Sequence, residues 1–318
     1  TVRTSSVSTH NVAWLADHKV MGQVLVPGAA FMDMMLSVDA SVGVSGITIA
    51  APMGLSTDDT RELQLQESPD GTLRIYSRDV EASAWTLHAE GVMGAIEDTG
   101  YPDVSLPPAG GEPLNLDSIY SAFEAQGLEY GPGFQGLKQA IRMGDTFWCE
   151  VQLSDSLDAS GYRIHPALLD ASFHGLGLAL QQIRESSGLF LPFGVETLYW
   201  KGESPSELWV KVTLDESTPE LQRSTLTYYA PRGRVLGWAQ GLQLKQADAA
   251  SLRKALGGST SHLEFEVQWQ AIEVESTPPA GRWGFWGDVD SVASELQAAE
   301  IDYVALENFS DGLDDSIA

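Results

Sequence analysis

The sequence predicts an α+β fold in which an antiparallel sheet wraps around a long apolar helix, an arrangement made twice. Three observations carry that expectation. Period-two apolar patterns recur with turn signals between them. Two apolar runs each begin at a proline, Pro27 and Pro166. A Pro- and Gly-rich stretch, YPDVSLPPAGGEP at 101–113, lies between them.

The N-terminal NVAWLAD reads as strand-like, and VMGQVLVP leads into Pro27, which suits a first helical turn because that position needs no amide hydrogen. Leu63 and Leu65 alternate with polar neighbours, SPDGT places a turn at Pro69 to Gly71, and Leu73 with Ile75 resumes the alternation as a hairpin. Trp85 to Met93 adds another strand. After the linker, Leu116, Ile119, Tyr120 and Phe123 follow helical spacing, with an end near Gly127. Residues 145–154 alternate, 162–182 read as a long helix entered at Pro166, and Leu208, Val210, Val212 and Leu214 form a period-two strand. Thr225 to Tyr229 and Val235 to Leu244 flank APRGR as a further hairpin.

The expected organisation is a first half over 1–100, a linker over 101–115, a second half over 116–245 and a separate segment over 246–318. The chain around residue 246 reads KQADAASLRKALGGSTS, a flexible connector. LEFEVQWQ follows, and then a strand, loop, helix, strand pattern like the opening of a neighbouring α/β unit in a longer polypeptide.

Composition narrows the function classes. With 18 Lys plus Arg against 44 Asp plus Glu, the formal charge is -26, which repels nucleic acid and anionic membrane surfaces. No apolar run approaches a membrane span and the N-terminus lacks a secretory pattern, so a cytoplasmic location is expected. The single cysteine, Cys149, permits no internal disulfide and reads as a packed thiol. The histidines show none of the spacings of a zinc site, and no metal is expected.

Two polar clusters stand against the apolar runs. His18 precedes Gly22 and Pro27; Asp170 and His174 lie four apart, on one helical face, among Leu168, Leu169, Phe173 and Leu176. A base from one cluster and an acid from the other is the minimum equipment for eliminating water across adjacent carbons. Burial among leucines would favour the protonated, donor form of Asp170. Gly22 allows a close backbone approach, with an amide hydrogen able to meet an oxyanion. From residues alone, structural roles for these groups are equally open. GPGFQG at 131–136 satisfies GxGxxG, but a helix is expected before it and Pro132 removes an amide, so it reads as a plain loop.

With these residues in hand, the chain resembles the dehydratase domain of a modular type I polyketide synthase over about residues 5–245. The family's HxxxGxxxxP stands as His18, Gly22 and Pro27, and its DxxxQ/H as Asp170 and His174, preceded by His165 and Pro166. Its YGPxF stands as Tyr130, Gly131, Pro132 and Phe134, and WTLHAEG at 85–91 also fits.

The resemblance implies a double hotdog fold. It also implies that His18 removes the α-proton of a β-hydroxyacyl thioester while Asp170 protonates the departing hydroxyl, with the carbonyl against the Gly22 amide. His174 would orient Asp170, and Tyr130 would shape an acyl tunnel. No cofactor is implied beyond the phosphopantetheine arm of an acyl carrier protein that delivers the substrate. The implied partners are that carrier, a neighbouring ketoreductase, whose structural subdomain the tail resembles, and a second copy in a homodimer.

Two positions depart from the family pattern: Leu128 stands where GYxYGPxF has an aromatic hydroxyl, and Val195 where LPFxW has a tryptophan. If both lie in a pocket wall, a combined dehydratase and oxa-Michael cyclase forming a pyran ring is an alternative, against neutral drift in a tolerant wall. A non-catalytic dimerisation scaffold is a further alternative.

Overall fold

The computed structural model describes residues 1–56, 60–96, 100–183, 189–202, 204–218, 221–247, 252, 283–286 and 303–306. The chain divides into two units, Thr1–Ser259 and Thr260–Ala318.

The first half of the larger unit starts with β1 (Val2–Val7), a single turn of 3-10 helix at Ala13–Asp17, and the short strands β2 (His18–Val20) and β3 (Gln23–Leu25). The 3-10 turn replaces the strand expected from NVAWLAD. The Asn11 side chain accepts the Ser8 N–H at 2.7 Å and donates to the Ser6 carbonyl, folding the chain back before a strand can extend. Helix α1 (Gly28–Leu36) follows with Pro27 as its N-cap. Beyond it come β4 (Gly43–Ile49), β5 (Gly54–Leu55), β6 (Arg61–Glu67), β7 (Thr72–Asp79) and β8 (Thr86–Gly94).

The second half consists of β9 (Glu112–Pro113), α2 (Ile119–Ala125), β10 (Leu128–Tyr130), β11 (Leu137–Met143), β12 (Thr146–Gln152), α3 (Pro166–Ile183), β13 (Phe190–Trp200), β14 (Glu207–Ser217), β15 (Leu221–Tyr229) and β16 (Val235–Gln246).

Among the described residues the strands form one twelve-stranded antiparallel sheet in the order β1-β6-β7-β8-β4-β13-β16-β15-β14-β12-β11-β9. The two expected sheets are therefore continuous. They meet edge to edge at β4 and β13, where Val195 pairs with Ile47 and Leu198 with Val44. Pairing the two edges satisfies backbone groups that separate sheets would leave exposed. A smaller sheet, β10-β2-β3-β5, is built from pieces of both halves.

Each half carries a helix on its sheet. In α1 every residue from Ala29 to Leu36 except Met34 is buried, and α3 is buried from Pro166 through His174, as expected of helices that are apolar on nearly all sides. The two helices also touch each other. Asp33 of α1 accepts the amides of Arg163 and Ile164 at 2.9 and 3.0 Å, so the first helix pins the entry to the second. Burial pushes the Asp33 carboxyl up to about 6 even though both amides favour its ionised form. His165 then caps α3 by accepting the Ala167 N–H at 3.1 Å, and burial holds its pKa down at about 4. Cys149 is buried as expected, its thiol pushed up to about 12 by desolvation.

The 101–115 segment is packed rather than a free tether. Val104 donates to the Gly233 carbonyl, Asp103 accepts the Val235 N–H, the Tyr101 ring lies 5.6 Å from Trp238, and β9 pairs with β11. At the other end, Leu252 is buried in the larger unit, within the segment expected to be a connector. In the smaller unit, β17 (Trp283–Trp286) and β18 (Tyr303–Leu306) pair in parallel. The helix expected between them and the LEFEVQWQ strand lie outside the described residues. Among the described residues no helix is long and apolar enough to cross a membrane.

Candidate active site

His18 is the first residue of β2 and is 5% exposed. Its Nδ1 lies 2.7 Å from the Leu25 carbonyl, across the β2–β3 hairpin. A carbonyl can only accept, so Nδ1 carries the hydrogen and the Nε2 lone pair is free to act as a base. Desolvation holds the His18 pKa below its ordinary value of 6.5, against the opposing pull of Asp170, so the imidazole is neutral at neutral pH.

The hairpin turns at Met21 and Gly22, with φ of 52° and 79°. Consecutive positive φ values are the requirement of a tight two-residue hairpin turn, and that is what Gly22 supplies. Its amide donates to Glu129 Oε1 at 2.7 Å in an exposed setting, outside the cavity that His18 faces. The expected oxyanion role of Gly22 is thereby corrected, because its donor is already engaged by a carboxylate of β10.

Strand β10 lies on the far side of β2, with Tyr130 opposite His18 and Leu128 opposite Val20. The Tyr130 and His18 ring centroids are 5.6 Å apart, and Phe134, four residues on, brings its ring within 5.0 Å of His18. The YGPGF turn is held by Asp17: its carbonyl accepts the Gly131 N–H, and its carboxylate accepts the Gly133 N–H at 2.8 Å. A Cβ at Gly131 would collide with that carboxylate, which explains the glycine. A short strand rather than a helix directly precedes GPGFQG; Gly131 and Pro132 are structural members of a clamped loop.

From α3, Asp170 and His174 face the same space, 5% and 3% exposed. His18 Nε2 is 3.9 Å from Asp170 Oδ2, too long for a hydrogen bond and suited to two groups acting on neighbouring atoms of a molecule held between them. His174 Nε2 is 3.3 Å from the same oxygen, close but short of a well-aligned hydrogen bond. The Tyr130 ring packs 4.2 Å from that of His174, and burial pushes its phenol well up, so it stays protonated.

These side chains open into a cavity of about 440 Å³ whose walls include His18, Asp170, His174, Tyr130, Leu128 and Pro27. Gly28, the first residue of α1, also lines it, so the N-terminal end of that helix borders the chamber. Gly28 was missed on the sequence as a residue of the cavity wall, although it follows Pro27 directly at the expected helix start. Asp17 was missed as well, because nothing local in the sequence ties residue 17 to residue 133. Val195 is corrected: it is 2% exposed in the core at the β4–β13 seam and does not line the cavity. Leu128 does.

Comparison with known proteins places the chain in a family. A family model described as polyketide synthase dehydratase N-terminal domain matches residues 102–254, and one described as polyketide synthase dehydratase domain matches 1–78. The chain belongs to the polyketide synthase dehydratase family.

Mycoketide-CoA synthase of Mycobacterium tuberculosis is 30% identical to this dehydratase domain over 96% of the chain. The chain spans 8% of that relative's length. A solved structure described as concerning dehydratase substrate selection for the borrelidin and fluvirucin polyketide synthases is similar at 29% identity. Its TM-score is 0.70, over 78% of this chain and 90% of that one. The bifunctional dehydratase-cyclase domain of ambruticin biosynthesis is similar at 28% identity. There the TM-score is 0.72, over 81% of this chain and 94% of that one. The double hotdog architecture of dehydratase domains is thus the fold of residues in the larger unit, and dehydration is the chemistry its family carries out.

Proposed function

We propose that this dehydratase removes water from a β-hydroxyacyl thioester carried on the phosphopantetheine arm of an acyl carrier protein, giving an α,β-unsaturated thioester. One observation carries the reading: His18 Nε2 and Asp170 Oδ2, from opposite halves, stand 3.9 Å apart in a shared apolar chamber. His18 Nε2 takes the α-proton, and the electrons of that C–H bond form the double bond as the β-carbon–oxygen bond breaks. Asp170 gives its proton to the departing hydroxyl, which leaves as water. The proton held by His18 then returns to Asp170, so the cycle consumes nothing but substrate. The thioester carbonyl rests at the Gly28 end of α1, where helix-terminal amides favour the charge that develops on oxygen. Both steps are proton transfers, so no redox group is called on.

The carrier and the neighbouring ketoreductase are partners by the same reading, and two copies pair as a homodimer. At a formal charge of -26 the chain does not attract an acidic carrier over long range, so tethering within one polypeptide supplies the effective concentration.

The reading is tested by incubating the chain with a β-hydroxyacyl carrier protein and following the acyl mass. Loss of one water supports it; absence of turnover returns the fold to a dimerisation scaffold. A cyclase reading draws on the likeness to the ambruticin dehydratase-cyclase and on Leu128 in the cavity wall, while Val195 no longer contributes to it. A substrate with a further chain hydroxyl separates the two, since a ring ether resists thiol addition and an open enoyl thioester does not.

A further inference from the structure

We infer that Tyr120 is a positioning residue that holds His174 in the Nε2–H tautomer and so keeps the Asp170 proton available to the leaving hydroxyl. Its kinetic consequence rests on the dehydratase reading; the tautomer does not.

Tyr120 lies in the first turn of α2, and its hydroxyl oxygen accepts the Leu137 N–H at 2.9 Å. An amide N–H can only donate, so the phenol must use its own hydrogen elsewhere. The acceptor in reach is His174 Nδ1, 3.4 Å away. Burial keeps the phenol protonated, so it remains a donor. With Nδ1 accepting, the single hydrogen of a neutral imidazole sits on Nε2, the nitrogen 3.3 Å from Asp170 Oδ2. The ring is kept in place by aromatic neighbours: Tyr120 meets it edge-on at 5.6 Å, with Phe123 at 5.4 Å and Tyr130 at 4.2 Å.

The tautomer decides what His174 does. With hydrogen on Nε2 it turns a donor toward Asp170 Oδ2, 3.3 Å away, a contact that becomes a hydrogen bond as the carboxylate forms during proton release. With hydrogen on Nδ1, the bare Nε2 would accept the Asp170 proton and compete with the substrate for it. A phenol on α2 therefore acts on the proton donor of α3 through the histidine between them.

The test uses the full chain labelled with 15N-histidine. Proton–nitrogen correlation spectra of the unmodified protein are expected to show His174 protonated at Nε2, and Tyr120→Phe to move it toward Nδ1 protonation. In steady-state assays Tyr120→Phe is expected to lower kcat about tenfold, the scale of one hydrogen bond, with KM nearly unchanged. In a His174→Gln background the same change is expected to cost less than about twofold, because a carboxamide carries donor and acceptor together and has no tautomer to select. An Nε2–H signal that persists in Tyr120→Phe overturns the inference, and so does an equal kcat loss in both backgrounds. Absence of elimination by the unmodified chain would overturn the dehydratase reading instead, leaving the spectra to decide the tautomer.

Discussion

His18 and Tyr130 are register partners across the antiparallel pair β2–β10, and their rings lie 5.6 Å apart. This pairing joins the base of the first half to the YGPGF loop of the second. It also makes His18 and Tyr130 one continuous stretch of the chamber wall, with α3 bringing Asp170 to the same cavity. The arrangement places each proton-transfer group on regular structure, which holds geometry better than a loop does.

Removing either end of the proton-transfer pair should separate chemistry from binding. His18→Ala is expected to lower the elimination rate at least about 10²-fold, and Asp170→Asn comparably, with thermal unfolding little changed. A near-normal rate in His18→Ala, measured by loss of water from the acyl carrier substrate, would end the base assignment.

The acid limb of the pH–rate profile is set by the neutral form of His18. Desolvation by burial is the largest influence and lowers that pKa, outweighing the upward pull of Asp170 and the Leu25 carbonyl. A base whose pKa is depressed stays unprotonated further into acid. The fall in kcat/KM is therefore expected to centre below about pH 6.5, the unperturbed imidazole value. A midpoint above neutrality would contradict the burial argument.

Asp17 holds the loop that carries Tyr130 and Phe134. Asp17→Ala removes the carboxylate that accepts the Gly133 amide, at an expected cost of about 1.5–3 kcal/mol for a hydrogen bond to a charged group. Activity should fall with stability, because both rings packed on His18 lose their anchor. Unchanged melting and unchanged kcat in this variant would show that the loop is held by its backbone pairing alone.

Restoring the family residue at Val195 should damage packing without reshaping the chamber. Val195→Trp forces an indole into the β4–β13 seam, and overpacking of this kind costs about 1–3 kcal/mol or more. Gly22→Ala should likewise lower Tm, since φ of 79° disfavours a side chain, while sparing KM. A change in acyl-chain selectivity from either variant, with Tm intact, would return that residue to the cavity wall.

Much of the fold was legible in the chain. Alternation marked β6, β7, β12 and β14, and Pro27 and Pro166 marked the two helix entries, because strand faces and helix starts depend on residues close in sequence. NVAWLAD misled because its alternation was overridden by the Asn11 side chain. His18, Asp170, His174 and Tyr130 stood out in the sequence through their motifs and Leu128 as a departure from one, and the cavity collects all five.

What the sequence determined by itself was therefore a set of local periodicities and a roster of reactive side chains. Tertiary structure alone decided that Gly28 rather than Gly22 faces the chamber, that Val195 is core, that Asp17 clamps a loop more than a hundred residues away, and that two half-sheets become one. The physical reason is that a side chain's partner depends on which strand or helix is packed beside its own. That choice is made by long-range register and burial, which no window along the chain contains.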